Sequence, residues 1–195
     1  MARNKRILSP TDAYYHVYNR GVAKMDIVKD DDDRRIFFKF LGEAVKQYPC
    51  QLIAYCLMDN HFHLLIKTEG KCLDRIMWHI QSHFARRINL RYQRVGPLFQ
   101  GRYQNRLVEN DEYMLTVLRY IHHNPVKANL VSKPENYRWS SYGAYVGTIP
   151  IWSWLNTQWA LNLFNREVSQ ALIAFEQFHI QQENDPLVPW PNGAR

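Results

Sequence analysis

Two apolar runs, residues 51–57 (QLIAYCL) and 61–67 (HFHLLIK), are separated only by Met58, Asp59 and Asn60. So short a connection between runs rich in β-branched and aromatic residues demands a compact antiparallel hairpin, and the other elements must be arranged around it. Upstream, residues 13–19 (AYYHVYN) read as a strand leaving through Arg20-Gly21. Ile36, Phe37, Phe40, Leu41, Ala44 and Val45 then recur at helical spacing until Pro49 closes the helix. The acidic run 30–33 before that helix suits the positive end of its dipole. Capping and solvation explain the run better than a calcium loop, which needs alternating acids and a central glycine.

Beyond the hairpin, Leu73, Met77, Ile80, Phe84 and Ile88 mark a helix over residues 73–92 that Gly96-Pro97 terminates. Residues 98–108 supply a last strand. Asn110-Asp111 then caps a helix whose core face is Met114, Val117, Leu118 and Ile121 and which Pro125 ends. The order β-α-β-β-α-β-α predicts an α+β fold, a ferredoxin-like antiparallel sheet with one added helix. After Val131 the character changes to a Tyr/Trp/Ser cluster (YRWSSYGAY), turn residues and an amphipathic helix near 167–181. A main domain over 1–148 and a C-terminal extension over 149–195, helical and then loose, are therefore expected.

The chain has 195 residues, 46% of them apolar, enough for one good core. Its net charge of +7 points to an anionic partner, nucleic acid or acidic lipid. No apolar run is long enough to span a bilayer, and the basic start lacks an apolar signal core, so a cytoplasmic, nucleoid-associated protein is expected. Cys50, Cys56 and Cys72 form neither an even disulfide set nor a CxxC pair. The charge is concentrated: residues 71–106 carry eight basic residues against the single acid Asp74. Interleaved with Trp78, Phe84, Tyr92, Phe99 and Tyr103, they suggest a nucleic-acid groove in which arginine pairs phosphate and rings stack bases. Any one of these cations also fits a solvated helix face.

Two short patterns carry chemistry. In DNHFHLLI, a strand places His61 and His63 on one face and Phe62 on the other, toward the core. Paired imidazoles suit a metal if a third ligand arrives from elsewhere, and equally fit two hydrogen-bonded surface histidines. In RYIHHNPV, Tyr120 and Asn124 share a helix face at i, i+4. A tyrosine beside a metal can act as a nucleophile, although a tyrosine is more often a packing residue. His122 and His123 read as surface imidazoles near a helix C-terminus.

Together, a His-hydrophobic-His strand and, about sixty residues on, a Tyr-x-x-x-Asn helix resemble the single-tyrosine HUH transposases. YHVYNRG, MDNHFHLLI, GPLFQGRY and RYIHHNPVKANLV narrow this to a resemblance to the REP-associated tyrosine transposases over residues 10–145. The resemblance implies Tyr120 as nucleophile, a divalent ion (Mg or Mn) on His61 and His63, and no nucleotide cofactor. Asn124 is implied as third ligand, with His123 as substitute should Pro125 turn Asn124 out of the helix. The implied partners are single-stranded DNA hairpins from palindromic repeats, bound by a monomer or homodimer without a membrane. The candidate DNA contacts are Arg75, Arg86, Arg87, Arg91, Arg94, Arg102 and Arg106. The rival readings are a non-catalytic nucleic-acid-binding module with a ferredoxin-like fold and a zinc hydrolase of unrelated substrate.

Overall fold

The structure, a computed structural model, describes residues 12–180. Four strands, β1 (Asp12–Arg20), β2 (Cys50–Leu57), β3 (His61–Glu69) and β4 (Gln104–Val108), form one sheet in the order β2-β3-β1-β4. All neighbours are antiparallel, the arrangement that a split β-α-β-β-α-β unit produces. The helices α1 (Asp31–Gln47) and α2 (Leu73–Arg91) cover one face, and α3 (Asp111–Lys127) covers the other.

The period of two along each strand sorts side chains between these layers. Tyr15 and Val17 of β1 and Phe62, Leu64 and Ile66 of β3 join a core with Phe37 and Leu41 of α1 and Ile76, Ile80 and Phe84 of α2. On the opposite face Leu65 packs with Met114, Val117, Leu118 and Ile121 of α3. That second core also takes Ala171 and Phe175 from a C-terminal helix, α6 (Val168–Ile180), which follows two short ones, α4 (Tyr142–Tyr145) and α5 (Thr157–Leu161). A register shift between Leu52 and Ala54 turns Ile53 to the second core beside Ala54.

The expected caps form. Asp30 accepts from Asp33 N at 3.0 Å and Asn110 from Tyr113 N at 2.8 Å, each satisfying a donor at a helix start. The YRWSSYGAY cluster covers the outer edge of β2: Leu57 N donates to Trp139 O at 3.0 Å, Ser141 N to Tyr55 O at 2.9 Å and Tyr145 OH to Ile53 O at 2.8 Å. An edge strand that would otherwise present unpaired backbone groups is thereby closed. The α6 span agrees with the expected amphipathic helix as far as Ile180, and the expected loose tail lies outside the described residues.

Two expectations are corrected. The last strand begins at Gln104, not at 98, because Asn19 Nδ2 takes the Gly101 carbonyl at 3.0 Å where a backbone ladder would otherwise run. Leu98 and Phe99 contribute buried side chains and a single bridge, Gly21 to Phe99. Pro125 does not end α3: it removes only its own N–H, and the ladder resumes with Ala128 N to Asn124 O at 3.0 Å, so Asn124 stays helical. Arg91, one of the candidate DNA contacts, is exposed and pairs with the acidic run. Its guanidinium bonds Asp30 at 2.8 Å and Asp33 at 2.5 Å, and Tyr92 OH reaches Asp33 at 2.8 Å. The α1 N-terminus thus clasps the α2 C-terminus. Arg91→Ala should lower the urea midpoint while leaving the salt dependence of DNA affinity unchanged; a shallower salt slope would return Arg91 to the DNA contacts.

Candidate active site

On the α3 side of the sheet, the antiparallel pairing of β1 with β3 sets Tyr18 opposite His63 and His16 opposite Leu65. His63 is fully buried and His16 nearly so, and the His61 ring stands 5.2 Å from that of His63. From α3, the Tyr120 ring comes edge-on to both, 5.3 Å from His63 and 5.8 Å from His16. Asn124, one turn along α3, brings Oδ1 to 3.2 Å from His61 Nε2. The structure therefore gathers all four residues of the two sequence patterns, His61, His63, Tyr120 and Asn124.

The hydrogen bonds show what this group can hold. His61 Nδ1 lies 2.6 Å from Asn60 Oδ1, so both ring nitrogens of His61 face amide oxygens. Asn124 is oriented by its own donation from Nδ2 to Tyr120 O at 3.1 Å, which fixes Oδ1 toward His61. A neutral imidazole has one N–H. With that N–H toward Asn124, His61 Nε2 donates to Oδ1; with it toward Asn60, Nε2 and Asn124 Oδ1 are two acceptors 3.2 Å apart that one cation could join. His63 Nδ1 meets His16 Nε2 at 3.0 Å. When His63 donates there, its Nε2 is the unprotonated nitrogen, and the His16 contact fixes the ring's orientation. Among the described residues no three His, Cys, Asp or Glu side chains converge, so the third donor on offer is the Asn124 amide.

Burial sets the charge states. It lowers His61, pushes His63 well below the ordinary imidazole range and drives His16 down to about 3, with the Arg106 cation adding to the effect on His16. These rings are neutral at pH 7, the ligand form. Burial raises the Tyr120 phenol, opposed by its hydrogen bond with Asn124 and by Arg106. Lys127 Nζ sits 4.8 Å from the Tyr120 ring centroid. An anion arriving at Tyr120 therefore meets two cations.

Of the candidate DNA contacts, Arg106 lies here, half-buried on β4 opposite His16 and hydrogen-bonded to Tyr18. Arg102 is exposed in the turn before β4. Arg75, Arg86 and Arg87 are exposed on α2, across the sheet from Tyr120, and Arg94 is partly exposed just beyond α2. His123 stacks on His179 of α6 (5.9 Å, 18°), so Asn124 and not His123 meets His61. His122 is not at the surface as expected: α6 covers it, with Nδ1 at 3.0 Å from His179 Nε2 and Nε2 at 2.9 Å from Ser141 Oγ. Sequence reasoning missed His16 and this α6 contact, and named Arg106 without its place beside the tyrosine. The alternation in AYYHVYN puts His16 with Tyr14 and Tyr18, but only the pairing of β1 with β3 brings it to His63.

The chain belongs to the IS200-like transposase family: residues 9–124 match the family described as "Transposase IS200 like", whose membership implies a DNA-cleaving enzyme. A Haemophilus influenzae protein named as a REP-associated tyrosine transposase is 26% identical over 141 residues, spanning 63% of this chain and 80% of the relative. A solved REP-associated tyrosine transposase bound to a REP hairpin superposes with a TM-score of 0.65 at 14% identity, covering 80% of this chain and 98% of the other. That likeness bears out the α+β fold.

The buried imidazoles predict a pH dependence. The unfolded chain protonates histidine near pH ~6.5, whereas His179 does so only at about 3 and His122 well below the ordinary range, both because of burial. The fold is thus most stable above about pH 6.5 and loses up to ~1.4 kcal/mol per pH unit per such histidine on acidification. Urea midpoints in EDTA should fall from pH 7.5 to 5.0, and His179→Gln should flatten that fall. A pH-independent midpoint would contradict the buried neutral pair.

Proposed function

We propose that the chain cuts and rejoins single-stranded DNA at hairpins of palindromic repeats through a 5'-phosphotyrosine on Tyr120. The observation that carries this reading is the approach of Tyr120 and Asn124 on α3 to the His61–His63 pair on β3, with Asn124 Oδ1 at 3.2 Å from His61 Nε2. His61, His63 and Asn124 would hold a divalent ion, Mg or Mn, since His61 Nε2 and Asn124 Oδ1 already converge at 3.2 Å beside His63. Bound there, the ion supplies positive charge that polarises a phosphodiester.

The chain's own groups perform the rest. Tyr120 Oη attacks phosphorus and the bond from phosphorus to the 3' oxygen breaks; the phenolic proton leaves through solvent, which protonates the departing 3' oxygen. Arg106 and Lys127, beside Tyr120, offset the charge on the phenolate and the phosphate. A 3'-hydroxyl attacking the phosphotyrosine reverses the step, so rejoining needs no nucleotide. Asn124 orients the tyrosine as well as the ion, since it bonds both the Tyr120 carbonyl and its phenol. Arg102 and Arg106 would contact the strand near the nucleophile, whereas Arg75, Arg86, Arg87 and Arg94 would contact DNA running past the sheet edge. Hairpin recognition by a solved relative supports a hairpin substrate.

Incubation with labelled single-stranded hairpin DNA and Mn tests the reading. Wild type should give a protein-DNA adduct that survives SDS, and Tyr120→Phe should bind the hairpin with unchanged affinity and give none. A binding module would give no adduct in either chain, and a hydrolase of another substrate would be indifferent to Tyr120.

A further inference from the structure

The six tryptophans are not needed for the chemistry at Tyr120, yet three of them share one place. Trp139, Trp152 and Trp154 stand with Phe38 in nearly parallel planes on the α1 side of the sheet, outside β2. Trp152 stacks on Trp154 at 5.4 Å and 11°, and Phe38 lies 12° from Trp139 and 19° from Trp152. Two clefts of about 370 and 260 Å³ open here, sharing Phe38, Trp139 and Trp152 as walls.

The wall is built, not incidental. Gly42 sits in the middle of α1, where glycine is less favourable than alanine. A Cβ there would come within 2.6 Å of Trp154 Nε1 and 2.9 Å of its Cδ1, so the glycine is the seat of that indole. Trp152 is stacked against Trp154 and Phe38, which hold the ring, yet 47% of the residue remains exposed. A rigidly held, half-exposed indole is a stacking surface with little ordering cost left to pay.

The opposite lip is cationic. Arg35, Lys39, Gly42 and Lys46 all line the larger cleft and follow one another at i, i+4, i+7 and i+11, one face of α1. Three cations are thus spread along about 16 Å of helix. Arg138 adds a fourth on the smaller cleft. Glu43 also lines the larger cleft, and Arg35 and Arg138 bridge to Asp32 at 2.6 Å and Asp31 at 3.3 Å. Exposed bridges of this kind are worth little and exchange readily for a phosphate.

We propose that this cleft is a second nucleic-acid site, taking unpaired nucleotides of a single strand with bases on the tryptophans and phosphates on the α1 cations. Parallel aromatic planes beside a row of cations match the alternation of base and phosphate in one strand. The site lies across the sheet from Tyr120, so it would hold sequence flanking the cleavage point. It rests on the proposed function only in taking DNA as the ligand. A tryptophan groove also accepts proline-rich peptide, such as this chain's own PLVPWP, but that ligand would leave the α1 cations unused.

Fluorescence anisotropy of a fluorescein-labelled hexathymidylate tests it. Trp152→Ala should weaken binding about tenfold, and Trp152→Phe should retain most of the affinity. Lys39→Glu with Lys46→Glu should reduce the slope of log affinity against log salt by roughly 0.7 for each phosphate no longer neutralised. Adduct yield at saturating hairpin should match wild type in all of these variants. Wild-type affinity and slope in the variants would overturn the site even where adducts form. So would displacement of the oligonucleotide by a synthetic peptide of residues 184–192 that binds the lysine double variant as tightly as wild type. Loss of oligonucleotide affinity in Trp152→Ala without adducts from wild type would sustain this site and refute the proposed function instead.

Discussion

Every strand of a sheet covered on both faces must satisfy two environments at once, and in β3 that constraint separates packing from chemistry. Phe62, Leu64 and Ile66 are spent on the core with α1 and α2. His61 and His63 are turned by the same period of two toward α3, His63 fully buried and His61 partly exposed. Sliding this strand by one residue would bury the imidazoles among phenylalanines and expose the core. The apolar half of β3 therefore fixes the register in which the polar half is useful. Neutral, hydrogen-bonded imidazoles result because burial makes the charged form costly.

The second requirement is that α3 stay in place, since it carries both Tyr120 and Asn124. The C-terminal segment supplies that hold. Arg119 donates to Phe178 O at 3.3 Å and lies 4.3 Å from the Phe178 ring centroid, while His122 bonds His179. These contacts flank Tyr120 on either side in sequence. The same segment closes the β2 edge through Trp139, Ser141 and Asn156, so it serves the sheet and the helix that carries Tyr120 together.

Much of this was legible in the sequence because it rests on local periodicity. The three-residue hairpin connection, the caps at Asp30 and Asn110, the facing of His61 and His63, and the i, i+4 relation of Tyr120 and Asn124 are all set by neighbours in the chain. What was not legible depends on distant pairing. His16 acquires its role only because β1 lies beside β3, and Arg91 is claimed by acids some sixty residues away. His122 resembles a surface residue until α6 is laid over it. Pro125 reads as a stop, yet a helix near its end has few bonds left to lose, and packing against the second core carries it through. The basic run 71–106 reads as one groove, but the fold distributes it over two faces of the sheet and one structural clasp.

The account depends on a cation sitting where His61 Nε2 and Asn124 Oδ1 now face each other. A crystal soaked in Mn and measured at the manganese absorption edge addresses that directly. An anomalous peak bonded to His61, His63 and Asn124, with Tyr120 beside it, is the predicted result. A manganese ion held elsewhere, or held by the two histidines with the Asn124 side chain turned away, would contradict it.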